Sequence, residues 1–165
     1  MIQYKNILFC TDFSEDANIA FQHALELARK YNARLHILHI PHSSYTYLRQ
    51  VVDEHVSEEA ESGEAFYNEK IEQKAKEALQ EAYEKRFDDF QDYIFVVKNG
   101  APDVEIIRYA RKNDIDVIVM GALGKSERDR IEHGSTVANV SKYAHCHVIA
   151  IRNPAKQFTL PASLT

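Results

Sequence analysis

The stretch that decides the fold is 117-VIVMGALG-124, a continuous apolar run that stops at the first of two glycines. Such a run, bounded by turn residues, is typical of a strand buried on both faces, as in a parallel sheet. Four other short segments that are rich in apolar residues are also predicted to be strands: 7-ILFC-10, 35-LHILHI-40, 93-YIFVV-97 and 147-HVIAI-151. The sequence therefore predicts five strands.

The segments between these strands have helical patterns. The first helix is predicted to begin at Ser14, a good N-cap that is followed by two acidic residues. Further helices are predicted over 65–86, from Pro102 to Asn113 and over 135–143, and the third is expected to turn Val104, Ile107 and Ala110 inward. Alternating strands and helices predict a single α/β domain, a parallel sheet with helices on both faces. We assign this domain to residues 1–152, with 42–63 as an insertion or loop and 153–165 as a tail.

Length and charge narrow the class of protein. The chain has 165 residues, enough for one ordinary domain. Its formal net charge of −5 argues against nucleic-acid binding, which usually needs a basic surface. No apolar stretch is long enough to span a membrane and the N-terminus lacks a secretory signal, so we expect a cytoplasmic protein. The two cysteines, Cys10 and Cys146, are expected to be reduced.

The connection after the fourth strand is the best candidate for a binding site. It holds three of the five glycines of the chain: Gly121, Gly124 and Gly134. Gly134-Ser135 directly precedes the last helix, whose first N–H groups and positive dipole end could bind an anion such as phosphate. The glycines could equally serve only to shape a loop and a helix cap, and the residues themselves leave both interpretations open.

The spacing of these residues resembles a known signature. Gly, two residues, Gly, nine residues, Gly-Ser is similar to the nucleotide-binding motif of the ATP-binding universal stress proteins, and the opening 5-KNILFCTDFS-14 also resembles that family. The resemblance implies an open five-stranded parallel sheet of strand order 3-2-1-4-5, of the adenine nucleotide alpha hydrolase-like, Rossmann-like type. It also implies a homodimer through the last strand: Val148, Ile149, Ala150 and Ile151.

The resemblance further implies a ligand, ATP or another adenine nucleotide with Mg²⁺, and a regulatory role in the stress response. Asp12 would meet the adenosine part, Ile40 would line the adenine pocket, and Met120 with Gly121 would lie near the ribose and the start of the phosphates. The phosphate chain would be bound by Gly124, Gly134, Ser135 and Thr136.

Other features favour different readings. The segment 125–133 carries balanced charges, with Glu132-His133 directly before Gly134, and an acidic group there weakens the binding of a triphosphate. The alternative function is therefore a protein-interaction module that keeps the fold and binds no nucleotide.

We find no set of residues arranged for catalysis, and expect at most slow ATP hydrolysis. A metal site at His36, His39 and His42 is not expected, because His36 and His39 of one strand point to opposite faces.

Overall fold

The computed structural model describes residues 1–41, 58–123 and 136–155. Within these ranges the chain alternates between strands and helices, as predicted. The strands are β1 (Asn6–Thr11), β2 (Arg34–His39), β3 (Tyr93–Val97), β4 (Val117–Gly121) and β5 (His147–Ile151). The helices are α1 (Glu15–Tyr31), α2 (Glu58–Tyr83), α3 (Pro102–Lys112) and α4 (Thr136–Tyr143), and a 3-10 turn (Glu84–Arg86) follows α2.

The five strands form one parallel sheet in the order β3-β2-β1-β4-β5, which confirms the predicted topology. The central strand β1 pairs with β2 on one side and with β4 on the other, so that Cys10 lies between Leu38 and Met120. The chain builds the sheet outward from β1 to β3 and then returns to the other side of β1 with β4. The strand order therefore reverses between β1 and β4.

Two hydrophobic cores cover the two faces of the sheet. On one face, α1 and α2 bury alternate residues of the central strands, such as Ile7, Phe9 and Val119. On the other face, α3 and α4 bury the intervening residues, such as Leu8 and Ile118. Because both faces are covered, the central strands β1 and β4 are buried and apolar at most positions, and this is why they appear in the sequence as continuous runs.

The first helix begins and ends where its sequence requires. The Ser14 side chain accepts a hydrogen bond from the Ala17 N–H, and Glu15 and Asp16 occupy the first turn, where negative charge suits the helix dipole. At the other end Asn32 adopts the left-handed conformation with φ 52°, a conformation that asparagine tolerates at a helix C-terminus.

Two details differ from prediction. Helix α2 begins at Glu58, seven residues before the predicted start and inside the stretch for which the sequence left a loop or insertion open. The prediction that Val104 faces inward is wrong, since Val104 is 45% exposed and the buried residues of α3 are Ile106 and Ala110. Ile106 and Ile107 are both apolar, so the sequence allowed either of them to face the sheet. In the structure Ile106 and Ala110 face the sheet, and Ile107 packs at the edge of that core.

Both cysteines, which lie in the described part of the chain, have free thiols, as predicted. Burial raises the pKa of the Cys10 thiol well above its ordinary value, so this group stays protonated and unreactive. Across residues 1–41, 58–123 and 136–155, no helix has the length and apolar character needed to cross a membrane.

Candidate functional site

The strand order reverses between β1 and β4, and we call the carboxyl edge of the sheet beside this reversal the crevice. Parallel α/β sheets bind their ligands at such a point, beyond the carboxyl ends of the strands. Asp12 directly follows β1 and Gly121 ends β4, so the two residues flank the reversal.

The structure brings four of the predicted site residues to this edge. Asp12, Ile40, Met120 and Gly121 lie at the carboxyl ends of three adjacent strands, β1, β2 and β4. Thr136 is the first residue of α4, which leads into the amino end of β5, so the N-terminus of α4 is directed toward the carboxyl edge. The other three predicted residues, Gly124, Gly134 and Ser135, lie outside the described residues.

The turn after β1 has a strained backbone. Phe13 adopts the left-handed conformation with φ 59°, which is uncommon for a bulky side chain. The turn is held by two local hydrogen bonds: the Phe13 N–H donates to Thr11 Oγ1 at 3.0 Å, and the Ser14 N–H donates to Asp12 Oδ1 at 3.0 Å. One carboxylate oxygen of Asp12 therefore fixes the turn, and this fixes the direction of the whole carboxyl group.

Gly121 lies where β4 meets the start of α1. A Cβ atom on Gly121 would lie 2.8 Å from the Ala17 backbone nitrogen and 2.9 Å from Asp16 atoms, closer than real Cβ contacts. Beyond Gly121, the Leu123 carbonyl accepts a long 3.5 Å hydrogen bond from Ser14 Oγ. The end of β4 is thus packed directly on the turn that carries Asp12, and the fold itself requires glycine at position 121.

Sequence reasoning missed two side chains that support the Asp12 turn. The Tyr83 hydroxyl, at the end of α2, lies 2.6 Å from Thr11 Oγ1 in a buried hydrogen bond. On the other side, His39 Nδ1 donates to the Thr11 carbonyl oxygen at 2.8 Å, and its ring lies 4.5 Å from that of Phe13. One signal was available for Tyr83: it continues the buried i, i+4 series of Ala75 and Leu79 along α2.

Burial is the main influence on Tyr83 and raises the pKa of its hydroxyl, while the bond to Thr11 opposes that shift. Tyr83 is therefore neutral at physiological pH and can take part in the hydrogen bond as a hydroxyl. The contact couples α2 to the end of β1 without introducing a charge.

The histidines of β2 lie on opposite faces, as predicted. His36 contacts Tyr109 of α3, with 2.8 Å between His36 Nδ1 and the Tyr109 hydroxyl, whereas His39 contacts Thr11 and Phe13. His42, the third residue of that sequence cluster, lies outside the described residues. In the part of the chain that the structure describes, no three His, Cys, Asp or Glu side chains are grouped as metal ligands would be.

Helix α4 is fixed to its neighbour near its beginning. Asn139 Nδ2 donates to Asp103 Oδ2 at 2.7 Å, which ties the first turns of α4 to the first turn of α3. Both helix beginnings face the carboxyl edge of the sheet, because each helix leads into the amino end of the next strand. This bond therefore fixes the start of α4 relative to the crevice.

Comparison with known proteins agrees with this architecture. Residues 3–152 match the universal stress protein family. The universal stress protein MJ0531 of Methanocaldococcus jannaschii is 30% identical over 155 residues, which cover 93% of this chain and 85% of the relative.

Solved structures share the fold. Protein MJ0577, a universal stress protein of the same organism, superposes with a TM-score of 0.74 at 26% identity, covering 94% of this chain and all of the other. A universal stress protein in complex with cAMP gives a TM-score of 0.62 at 20% identity, covering 91% and 98% of the two chains. One from Archaeoglobus fulgidus in complex with dAMP gives 0.57 at 20% identity, covering 92% and 99%. On the family match, which spans nearly the whole chain, and on its fold, this protein belongs to the universal stress protein family.

Proposed function

We propose that this protein binds an adenine nucleotide, ATP or a close relative, in the crevice between β1 and β4 and acts as a cytoplasmic regulator in the stress response. The observation that carries the proposal is the reversal of strand order flanked by Asp12 and Gly121. Members of the same fold family form complexes with cAMP and dAMP, which supports an adenine nucleotide as the ligand class.

The described residues suit the nucleoside part of such a ligand. The Asp12 carboxylate can accept hydrogen bonds from ribose hydroxyls or from the adenine amine. Ile40 and Met120 are apolar and flank Asp12 at the ends of the neighbouring strands, where they would pack against the base and the ribose. Gly121 would lie near the ribose and the start of the phosphates.

The phosphates would extend toward the N-terminus of α4. In any α-helix the first N–H groups have no acceptor within the helix itself, and the positive end of the helix dipole favours an anion. We assign Gly124, Gly134, Ser135 and Thr136 to this contact, with Mg²⁺ accompanying the phosphates when ATP is bound. The acidic residues of the segment 125–133 weaken this attraction, so affinity is expected to depend on the number of phosphates.

Binding is tested by calorimetric titration of the purified protein, freed of any bound nucleotide, with ATP, ADP, AMP and cAMP, with and without Mg²⁺. We expect saturable binding of at least one adenine nucleotide. At a hundred times its Kd, the ligand should stabilise the fold by about 2.7 kcal/mol. Any slow hydrolysis of ATP is measured as the release of inorganic phosphate.

Asp12→Asn should weaken binding at least tenfold, because the amide replaces one hydrogen-bond acceptor by a donor. The matched control is Asp89→Asn, which changes an aspartate whose side chain is 94% exposed and which forms an ion pair with Arg29. Absence of binding and of copurified nucleotide would refute the proposal. That result would favour the alternative function, an interaction module that acts through protein partners.

We also propose that two copies pair through β5. This strand is last in the sheet, so its outer edge has no partner strand among the described residues, and an unprotected edge invites pairing with a second chain. Val148, Ile149 and Ile151 are half-buried, and Ala150 is exposed. Light scattering should give twice the 19.0 kDa of one chain. Ala150→Lys should give the monomer, and a monomeric unmodified protein at micromolar concentration would refute the pairing.

A further inference from the structure

A buried hydrogen bond joins the turn after β1 to the distant helix α2. The Tyr83 hydroxyl and Thr11 Oγ1 are 2.6 Å apart although the residues are separated by 72 positions in sequence. Tyr83 is fully buried and Thr11 is 6% exposed. A hydrogen bond in this environment is protected from competition with water, so losing one partner leaves the other hydroxyl unsatisfied.

Thr11 passes this restraint on to the turn. Its Oγ1 also accepts the Phe13 N–H, so the oxygen that Tyr83 holds is the one that fixes the left-handed residue. The Thr11 carbonyl is held separately by His39 Nδ1. Asp12 lies between Thr11 and Phe13, and restraints on both neighbours limit the directions its carboxylate can take.

Tyr83 itself has little freedom to move. Its ring lies 4.8 Å from Phe21 and 5.4 Å from Phe9, measured between centroids, and it stacks on Phe13 at 6.2 Å. Arg86 covers the outer side of this cluster, with its guanidinium 4.4 Å from the Phe21 ring while it donates to both oxygens of Asn18. The hydroxyl of Tyr83 is therefore held at a fixed point against Thr11.

We propose that Tyr83 is a positioning residue for the nucleotide site: its hydroxyl holds Thr11, and through Thr11 the left-handed turn that presents Asp12 to the ligand. The inference rests on the proposed function, because it assigns to Asp12 a contact with the nucleotide. The inference adds that helix α2 contributes to the affinity for the nucleotide, although it lies on the sheet face away from the predicted phosphate contacts.

The test separates this role from ordinary core packing. Tyr83→Phe removes the hydroxyl and keeps the ring, and Thr11→Val removes the other half of the bond. At a temperature where both variants are fully folded, Tyr83→Phe should bind ATP with Mg²⁺ about three- to tenfold more weakly, in line with the loss of one buried hydrogen bond. Thr11→Val, which also removes the acceptor of the Phe13 N–H, should bind at least as weakly. Thr11→Ser retains the hydroxyl and should restore most of the affinity, and the double variant Thr11→Val, Tyr83→Phe should bind no worse than the weaker single variant.

The matched control is Tyr93→Phe. Tyr93 belongs to the same aromatic core, stacked on Phe87 at 3.8 Å, but lies at the amino end of β3. This variant should bind ATP as the unmodified protein does. A residue that only fills the core would lower stability on substitution and leave the affinity of the folded protein unchanged.

Hydrogen exchange of the ligand-free protein gives a second readout. In Tyr83→Phe, the Phe13 and Ser14 amides should exchange about tenfold faster, while amides of α3 on the opposite face keep their rates. Unchanged affinity in Tyr83→Phe, or acceleration spread evenly over the chain, would overturn the inference and leave the proposed function intact. An unmodified protein that binds no adenine nucleotide would overturn both.

Discussion

Protonation of His36 should destabilise the fold as the pH falls. His36 is 7% exposed, its Nδ1 is hydrogen-bonded to the Tyr109 hydroxyl, and its Nε2 is buried without a hydrogen-bond partner among the described residues. A protonated imidazole needs an acceptor at both nitrogens. Burial therefore lowers the pKa of His36, the nearby Arg34 lowers it further, and Asp92 opposes these effects.

The sign follows from proton linkage. The pKa of His36 is lower in the folded state than the ordinary value of about 6.5 in the unfolded chain, so below that pH the unfolded state binds more protons. The stabilisation that comes from keeping His36 neutral is fully present above pH 6.5 and is lost as the pH falls toward the folded-state pKa of His36. One proton can change the free energy of unfolding by at most about 1.4 kcal/mol per pH unit, which amounts to about 2 kcal/mol between pH 7 and pH 5.

The assay compares the pH dependence of stability in three proteins. Chemical denaturation at pH 7, 6 and 5 gives the free energy of unfolding of the unmodified protein, of His36→Leu and of His23→Leu, which changes an exposed histidine of α1. His36→Leu should lose up to about 2 kcal/mol less than the unmodified protein between pH 7 and pH 5, a difference of about 4–8 °C in Tm. His23→Leu should follow the unmodified protein. Equal losses in the unmodified protein and His36→Leu would refute the reasoning.

Three further substitutions probe the crevice and its supports, each measured by chemical denaturation. Gly121→Ala should lower the free energy of unfolding by about 1–3 kcal/mol, because the new Cβ would meet the α1 backbone 2.8 Å away, and an unchanged stability would contradict that contact. Ser14→Ala should cost about 1 kcal/mol by removing the N-cap of α1, and Ser14→Asp, which keeps an acceptor, should recover most of it. Asn139→Ala should cost about 0.5–1.5 kcal/mol through the bond to Asp103, whereas the exposed Ser141→Ala should change stability little, and equal losses would show that the bond contributes nothing.

The strands were the most predictable part of this fold. Burial on both faces demands apolar residues in β1 and β4, which therefore appear in the sequence as short apolar runs. The edge strands β3 and β5 are only partly buried, yet they have the predicted bounds because most of their residues are apolar. Helix orientation was harder to predict, because Ile106 and Ile107 are both apolar and either could face the sheet. The long α2 was predicted to start late because residues 58–64 are mostly acidic and lack an apolar period.

The candidate site was only partly predictable. Asp12 and Gly121 could be placed at strand ends because parallel strands share one carboxyl edge. The bond between Thr11 and Tyr83 could not be predicted, since it depends on how α2 crosses the sheet rather than on any local pattern. The left-handed Phe13 was equally hidden, because residue type alone suggests such a conformation only for glycine, asparagine or aspartate.

The two sides of the crevice differ in how strongly they argue for a ligand. The family resemblance placed Gly121 near the ribose and the start of the phosphates, yet the contact with α1 already requires glycine there. Phe13 is the reverse case, because nothing in its sequence predicted a left-handed conformation. That conformation costs roughly 1–3 kcal/mol, which a glycine at this position would avoid. Part of that cost is offset by ring contacts with His39 and Tyr83, which a glycine would lose. Thr11, His39 and Tyr83 hold this strained turn in place, and the turn fixes the direction of the Asp12 carboxylate. The strain therefore argues for a function of Asp12 more strongly than Gly121 argues for a bound phosphate.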